Sequence, residues 1–516
     1  MSGYLRRLAS TGAAYTAASI VSKLIAVALL PLYTRFLSPA DYGAAEVMFA
    51  AVVAISIVIR LGVIEALLRF YYKTDEQPNQ VVATSFASLF WAGTLAAIVL
   101  MPFAGPMSEL LLGTTEVELA RIAIAGLWVL TLSEYLLTLF RLDERATAFF
   151  TVTMVSVLVT IPVTVVLVVV LKLGAIGLLL GSYGSGLVVV LGLILYHRRR
   201  LSLKVDRPLF RRMMRFGLPT MPAELSLYSM SFVDRIIIAR SLGLAEAGLY
   251  SLAIKISQSV NVLVRGFQLA FPPLAYSIVD DDDARNAYSA VVTWFVVIMA
   301  GVVTSIWLMA PWIVRIFAAP EFFDAQEAVG PVAAGTALYA LYMVLLVVLG
   351  RTGRTEFNFP ATLAGVGANI GLNLLLVPVM GIVGAGVSLI ISYAVVLVLM
   401  YVFTQRLFPV PYEWWRLAKV IGSAGAMITI GLVFVPDDGF GALAIRLLLI
   451  ALVPVVMVAT GFFSRSEWEY VKLLARPREL ASRIQAARAQ ESAEGSQQGL
   501  PEVYEVEQMN EDMRNN

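Results

Sequence analysis

Arg35-Phe-Leu-Ser-Pro-Ala-Asp-Tyr-Gly43 returns 205 positions later as Arg240-Ser-Leu-Gly-Leu-Ala-Glu-Ala-Gly248. Arginine, leucine, alanine, an acid and glycine coincide, and each copy closes one apolar segment and opens the next. At the same offset Arg60 falls on Arg265 and Tyr71 on Tyr276; further along, Gly174-Ala-Ile-Gly177 falls on Gly381-Ile-Val-Gly384 at offset 207. Charged residues repeated at one offset point to an internal duplication. Six apolar segments separate the copies, so equivalent helices run in the same direction. That is the parallel arrangement of transporters whose halves are related by an axis along the membrane normal.

The segments around these motifs belong in lipid. The chain has 516 residues, 59% hydrophobic and 14% charged, with a mean hydropathy of +0.81. A soluble domain carries roughly 45–50% apolar and about 25% charged residues, so the chain reads as an all-α integral membrane protein. With about 20 apolar residues to a span, fourteen spans are predicted. The first six are 11–34, 43–68, 80–104, 118–140, 147–171 and 174–197; the next four are 215–239, 246–273, 288–314 and 327–349; the last are 355–378, 381–404, 414–435 and 442–463. This gives a six-helix lobe over 1–200, a basic linker over 201–214, a second six-helix lobe over 215–406, two additional helices over 407–463 and a tail from 464 to 516. The tail begins with an amphipathic stretch, Glu467 to Arg488, suited to the membrane surface, and from Ala489 onward its composition is that of a disordered segment. The opening apolar stretch, Thr11 to Tyr33, is too long for a cleaved leader and reads as the first span.

Basic residues set the orientation. With the N-terminus in the cytoplasm, inner segments hold 27 Lys and Arg and outer segments 6. That distribution predicts a cell (inner or plasma) membrane protein with both termini cytoplasmic. The formal net charge is only +2, which argues against nucleic acid as a partner. With no cysteine and one histidine, His197, the sequence offers no disulfide and no metal cluster of the usual kind. It has no phosphate-binding loop, no cofactor motif and no large outer loop bearing paired acids, so no catalytic residue is assigned and no enzyme is expected. The run Asp280-Asp-Asp-Asp283 reads as a solvated link.

A charge at mid-bilayer costs at least about 2.5–3.5 kcal/mol and usually faces a cavity or a partner. Here such charges gather on the first two helices of each repeat: Lys23, then Glu46, Arg60 and Glu65; Glu224, Asp234 and Arg235, then Lys255 and Arg265; Glu134 lies apart in the fourth span. At 100° per residue, Glu224, Tyr228, Ser231 and Arg235 fall within about 60°, and Lys255, Gln258, Asn261 and Arg265 within about 120°. Tyr15, Ser19 and Ser22 line one side of the first span, and Glu46, Ser56 and Arg60 share a side of the second. Four polar stripes require a common polar space, which the repeat places between the lobes. Structural ion pairs, Arg60 with Glu65 for example, are the alternative. Prolines at 31, 162, 219, 222, 272 and 273 predict bends, above all in Gly217-Leu-Pro-Thr-Met-Pro222.

Ser22-Lys23-Leu, followed by Leu30-Pro-Leu-Tyr-Thr-Arg-Phe-Leu-Ser-Pro-Ala-Asp-Tyr-Gly43, resembles the opening of Wzx-type O-antigen and polysaccharide flippases. Phe216-Gly-Leu-Pro-Thr-Met-Pro222, Asp234-Arg235 and Leu242-Gly-Leu-Ala-Glu-Ala-Gly-Leu-Tyr-Ser251 resemble the start of their second lobe. The resemblance implies the multidrug/oligosaccharidyl-lipid/polysaccharide exporter superfamily, two six-helix lobes around a central cavity, and outward transfer of polyprenyl-pyrophosphate-linked glycans. Lipid II flippases, similar in architecture, place cations on helices 1, 2 and 8, which by helix are Lys23, Arg60 and Arg265 here.

The residues themselves fit that chemistry. Lys23, Arg60, Arg235, Lys255 and Arg265 are expected to line the cavity and pair with pyrophosphate, with Arg60 and Arg265 as repeat-related partners, one from each lobe. Glu224, Tyr228, Gln258 and Asn261 suit a glycan, and Tyr15 and Tyr228 could stack on sugar faces. Glu65, Glu134 and Asp234 are candidate coupling or counter-ion acids. Membrane lipids, and possible glycan polymerase or glycosyltransferase proteins, complete the expected partners. A cation-coupled multidrug antiporter of the same superfamily is the alternative function; a non-transporting scaffold would not need buried charge.

Overall fold

The computed structural model describes residues 21, 25, 27–72 and 77–462. Lys23, Tyr15, Ser19, Ser22 and the tail from 464 lie outside the described residues. The chain forms two compact units, 1–451 and 452–516, and the account below concerns the first. Its regular structure among the described residues is helical: α1 Leu30–Phe36, α2 Pro39–Arg60, α3 Val63–Phe70, α4 Pro78–Leu100, α5 Ala104–Leu112, α6 Val117–Leu142, α7 Ala146–Val165 and α8 Gly174–His197. After these come α9 Arg207–Gly217, α10 Met221–Ser241, α11 Leu244–Ser257, α12 Val260–Ser277, α13 Asp281–Phe317, α14 Gln326–Arg351, α15 Asn358–Leu407, α16 Trp414–Phe434 and α17 Phe440–Ala459.

The repeated motif is a helix stop and start. In the first copy Ser38 caps α2, its hydroxyl accepting from the Asp41 backbone N–H at 3.1 Å, with Pro39 in the first turn. In the second copy Gly243, at φ 108°, turns the chain into α11. The two copies meet. A Cβ on Gly43 would fall on the Leu244 carbonyl and lie 2.7 Å from the Gly248 nitrogen. A Cβ on Gly248 would strike the Pro39 carbonyl and lie 3.1 Å from the Gly43 nitrogen. Repeat-equivalent glycines therefore face each other where α2 crosses α11, and only hydrogen side chains permit so close a crossing.

Among the described residues ten helices are long and apolar enough to cross a membrane. The stretch Asn358–Leu407 is interrupted by Gly381 at φ 61°, ψ −146°, so it holds two helices, meeting where the sequence predicts a link. Helices α10, α11 and α12 fall outside that set of ten, because they are short or carry the buried charges. Sorting by burial separates centre from periphery: 72% of the central window of α2 is buried against 11% for α7, which is apolar all round and suited to lipid. Helix α2 packs on α6, α10 and α11; α10 packs on α15, and α11 on α14.

Two spans predicted as continuous are broken. Arg60 ends α2, and Leu61 (φ 48°) and Gly62 (φ 71°) turn through left-handed backbone into α3. Gln258 and Ser259 separate α11 from α12. The predicted bend at Gly217-Leu-Pro219 is a 3₁₀ turn joining α9 to α10, and there Gly217 lies backbone to backbone against Gly62. Nearby, Arg200 ties the ends of three helices together, donating to Asp143 Oδ2 at 2.7 Å and to the Tyr71 hydroxyl at 3.0 Å. Burial, and secondarily the Asp143 carboxylate that Tyr71 donates to, holds the Tyr71 phenol above its ordinary pKa.

Candidate functional site: a charged cavity between the two repeats

A cavity of about 590 Å³ lies among α2, α6, α10, α11, α12, α14 and α15. Of the residues expected there, Arg60, Glu134, Glu224, Tyr228, Asp234, Gln258, Asn261 and Arg265 line it. Its polar groups fall into three sets with different states of satisfaction.

The first set is a bridge. Arg60 Nη2 donates to Glu224 Oε1 at 3.0 Å, Nη1 pairs with Glu134 Oε2, and Nε donates to the Ser56 carbonyl at 3.3 Å. One guanidinium thus joins α2 to α6 and to the first turn of α10. Glu65 makes no ion pair with Arg60, in contrast to the pair considered from sequence. It stands on α3, beyond the left-handed turn at Leu61–Gly62, so helical phase does not carry from Arg60 to it.

The second set surrounds Asp234, which is fully buried. Tyr250 donates its hydroxyl to Oδ2 at 2.9 Å, and Asn373 Nδ2 donates to Oδ1 at 2.7 Å and to the Asn369 carbonyl at 2.8 Å. Neutral donors, rather than a cation, hold this carboxyl. The third set is Arg265 with Gln258, Asn261, Gln268 and Tyr339. Arg265 is exposed to the cavity and has no carboxylate partner among the described residues. Tyr228, by contrast, spends its hydroxyl on the Ala50 carbonyl at 3.3 Å and stacks its ring on Phe232.

Lys255 and Arg235 do not line the cavity, contrary to expectation. Both point to Glu46 on α2, which is 4% exposed: Lys255 pairs with Oε1, and Arg235 Nη1 lies 3.9 Å from Oε2. The Lys255 ammonium also sits 5.1 Å from the centre of the Tyr42 ring. The stripe Lys255–Gln258–Asn261–Arg265 assumed one continuous helix. The break at Gln258–Ser259 leaves Lys255 on α11, facing α2, while Arg265 on α12 faces the cavity. Sequence reasoning missed Tyr250, Asn369, Asn373, Gln268 and Tyr339. The signal for part of this set was present: Asn369 and Asn373 are an i, i+4 amide pair in an otherwise apolar segment. Among the described residues no three His, Asp or Glu side chains converge as metal ligands.

Solved structures share this fold of apolar helices long enough to cross a membrane around a charged cavity. Lipid II flippase MurJ in an inward closed conformation superposes with a TM-score of 0.69 at 14% identity, covering 87% of this chain and 98% of that one. A multidrug resistance MATE family transporter of the MOP superfamily, in its inward-facing conformation, superposes with a TM-score of 0.63 at 16% identity, covering 75% of this chain and 95% of that one. The chain belongs to the polysaccharide biosynthesis protein family, which matches residues 32–327. Succinoglycan biosynthesis transport protein ExoT of Rhizobium meliloti (strain 1021) is 26% identical over 292 residues, 54% of this chain and 56% of that protein. The match therefore spans little more than half of that relative's length.

Proposed function

We propose that this chain moves a polyprenyl-pyrophosphate-linked oligosaccharide from the cytoplasmic to the outer leaflet of a cell's inner or plasma membrane. It acts as a transporter rather than an enzyme. The observation that carries the reading is Arg265, a cavity guanidinium with no carboxylate partner among the described residues and with Gln258, Asn261 and Tyr339 beside it. A guanidinium can take two oxygens of a pyrophosphate at once, while amides and a phenol suit sugar hydroxyls. The polyprenyl tail can stay in lipid throughout.

In this reading Arg265, together with Lys23, binds the anion. Arg60 is already engaged by two acids and acts first as a bridge between the repeats, gripping substrate only when released from them. Asp234, held by neutral donors, is the candidate coupling acid. The chain has fourteen spans in two six-helix lobes, 1–200 and 215–406, plus two further helices, with both termini cytoplasmic. An inside-negative potential favours outward movement of the anion by about 2.3 kcal/mol per charge per 100 mV. Family membership and the names of the relatives, succinoglycan transport and lipid II flipping, support the substrate class. Glycan polymerases and glycosyltransferases are the partners this places nearby.

One observation favours the antiporter: three acids, Glu134, Glu224 and Asp234, line the cavity against two arginines. Two of the three are spent on Arg60, which leaves the anion reading ahead. The test is surface glycan in cells whose own transporter is replaced by variants. Arg265→Gln should abolish export at unchanged protein level, and Arg265→Lys should restore part of it. Full export by Arg265→Gln would reject the proposal.

A further inference from the structure

The function proposed above leaves three charges unused: Glu46, which is buried, and Arg235 and Lys255, whose side chains are 11% and 28% exposed. They sit between the two repeats but outside the cavity. Glu46 comes from the first repeat, one turn beyond Gly43; both cations come from the second. Two cations share one carboxylate, so the cluster carries a surplus positive charge. Arg235 Nε has no hydrogen-bond partner among the described residues. Burying such a set gains little stability over apolar packing, so its stability contribution does not explain its presence.

The helices that enclose it come from different repeats. Beside Glu46, α2 crosses α11 at the Gly43–Gly248 contact, where backbone meets backbone, with Tyr42 and Ala247 buried on either side. Parting the helices there exposes the cluster. Glu46 would leave with the first repeat, while Lys255 and Arg235 stay together on the second.

We propose that Lys255 and Arg235 form a second anion-binding site for the pyrophosphate of the lipid-linked substrate. Glu46 masks it in the present conformation, and the site is uncovered when α2 and α11 part at Gly43–Gly248. The Glu46 carboxylate occupies the place of a phosphate oxygen. The substrate anion then has two stations on the second repeat: Arg265 on α12, open in this conformation, and Lys255–Arg235 on α11 and α10, open in the other. The carboxylate also makes the exchange reversible, because it displaces the phosphate when the helices close. The proposal rests on the flippase reading and gives that site a second, conformation-dependent half.

The probe is farnesyl pyrophosphate, with farnesol as the tail-only control, titrated against the full chain in nanodiscs. Glu46→Gln unmasks both cations and should bind farnesyl pyrophosphate about tenfold tighter than the parent chain, with no gain for farnesol. In Glu46→Gln/Lys255→Gln/Arg235→Gln the gain should vanish. No gain in the single variant, or a gain that survives in the triple variant, overturns the proposal. Binding by the parent chain and its loss in Arg265→Gln report on the flippase reading separately, so either can fail alone. If Glu46→Gln does not fold, the absence of cysteine from the chain permits a second measurement. Ala247→Cys, fully buried at the crossing, should react with a membrane-impermeant thiol reagent in the working transporter. Failure to react while Thr336→Cys in the cavity does react would show that the crossing never parts, and would equally overturn the proposal.

Discussion

Arg60→Ala should destabilise the protein, and removing acids should repair it. The guanidinium is 11% exposed and holds Glu134 and Glu224, whose side chains are 36% and 40% exposed. Breaking a fully buried pair by deleting one partner costs about 3–5 kcal/mol, whereas an exposed pair is worth about 0–1 kcal/mol. With the cation buried and both acids more than a third open to the cavity, the expected loss is about 2 kcal/mol. Most of that loss is the cost of leaving two partly buried carboxylates without their cation. Arg60→Ala/Glu134→Gln/Glu224→Gln should therefore recover more than about 1 kcal/mol relative to Arg60→Ala alone. Denaturant unfolding of the purified protein reads both differences, and surface glycan, measured in parallel, shows whether export returns with stability. If Arg60→Ala unfolds like the parent chain and the triple variant gains nothing, Arg60 is not the bridge described here. Loss of export would then belong to direct contact with substrate, the role its repeat relation to Arg265 predicts.

Other expectations follow from the same geometry. Gly248→Ala places a Cβ on the Pro39 carbonyl and should cost about 1–3 kcal/mol in unfolding. Gly184→Ala, with nothing within 4 Å of the added carbon, should be neutral or slightly stabilising; equal effects would refute the close crossing. Arg446, 1% exposed, donates to the Leu308 and Val435 carbonyls at 3.0 Å each and to Asp437 at 2.5 Å. Arg446→Met should lose about 2–3 kcal/mol in unfolding, and Asp437→Asn less than about 1 kcal/mol, because the carbonyls keep their donor; the reverse order would refute it. Reporter fusions at Leu112 and Asp437 should read outside and those at Leu203 and Gly495 inside; any reversed pair refutes the topology.

The duplication was legible because the repeated motif is punctuation: a cap, a turn and a glycine at which two helices touch. So was the gathering of charge on α2, α10, α11 and α12, since apolar spans leave ionisable residues conspicuous. What each charge faces was not legible. Helical phase places neighbours on a face only while the helix continues, and both polar second spans break, at Leu61–Gly62 and at Gln258–Ser259. The first break left a sign in Leu61-Gly62, a left-handed helix end of the usual glycine type. The second left none, and helical phase carried across it puts Lys255 on the cavity side, whereas it faces Glu46 on α2. The partners of Arg60 lie 74 and 164 positions along the chain, and no local period reports a pairing of that range. Asp234 stands out in the sequence, but Asn373, which holds it, does not, because amides do not register in a count of charges.

The central claim is tested most directly by reconstitution. Purified protein in liposomes should carry a fluorescent polyprenyl-pyrophosphate-linked oligosaccharide from one leaflet to the other, as read by its loss of protection from a membrane-impermeant quencher. Transfer should fall to the protein-free rate in Arg265→Gln and should be unaffected by cationic drugs. Transfer that persists in Arg265→Gln, or an absence of glycolipid transfer alongside cation-driven uptake of a drug such as ethidium, would contradict the account.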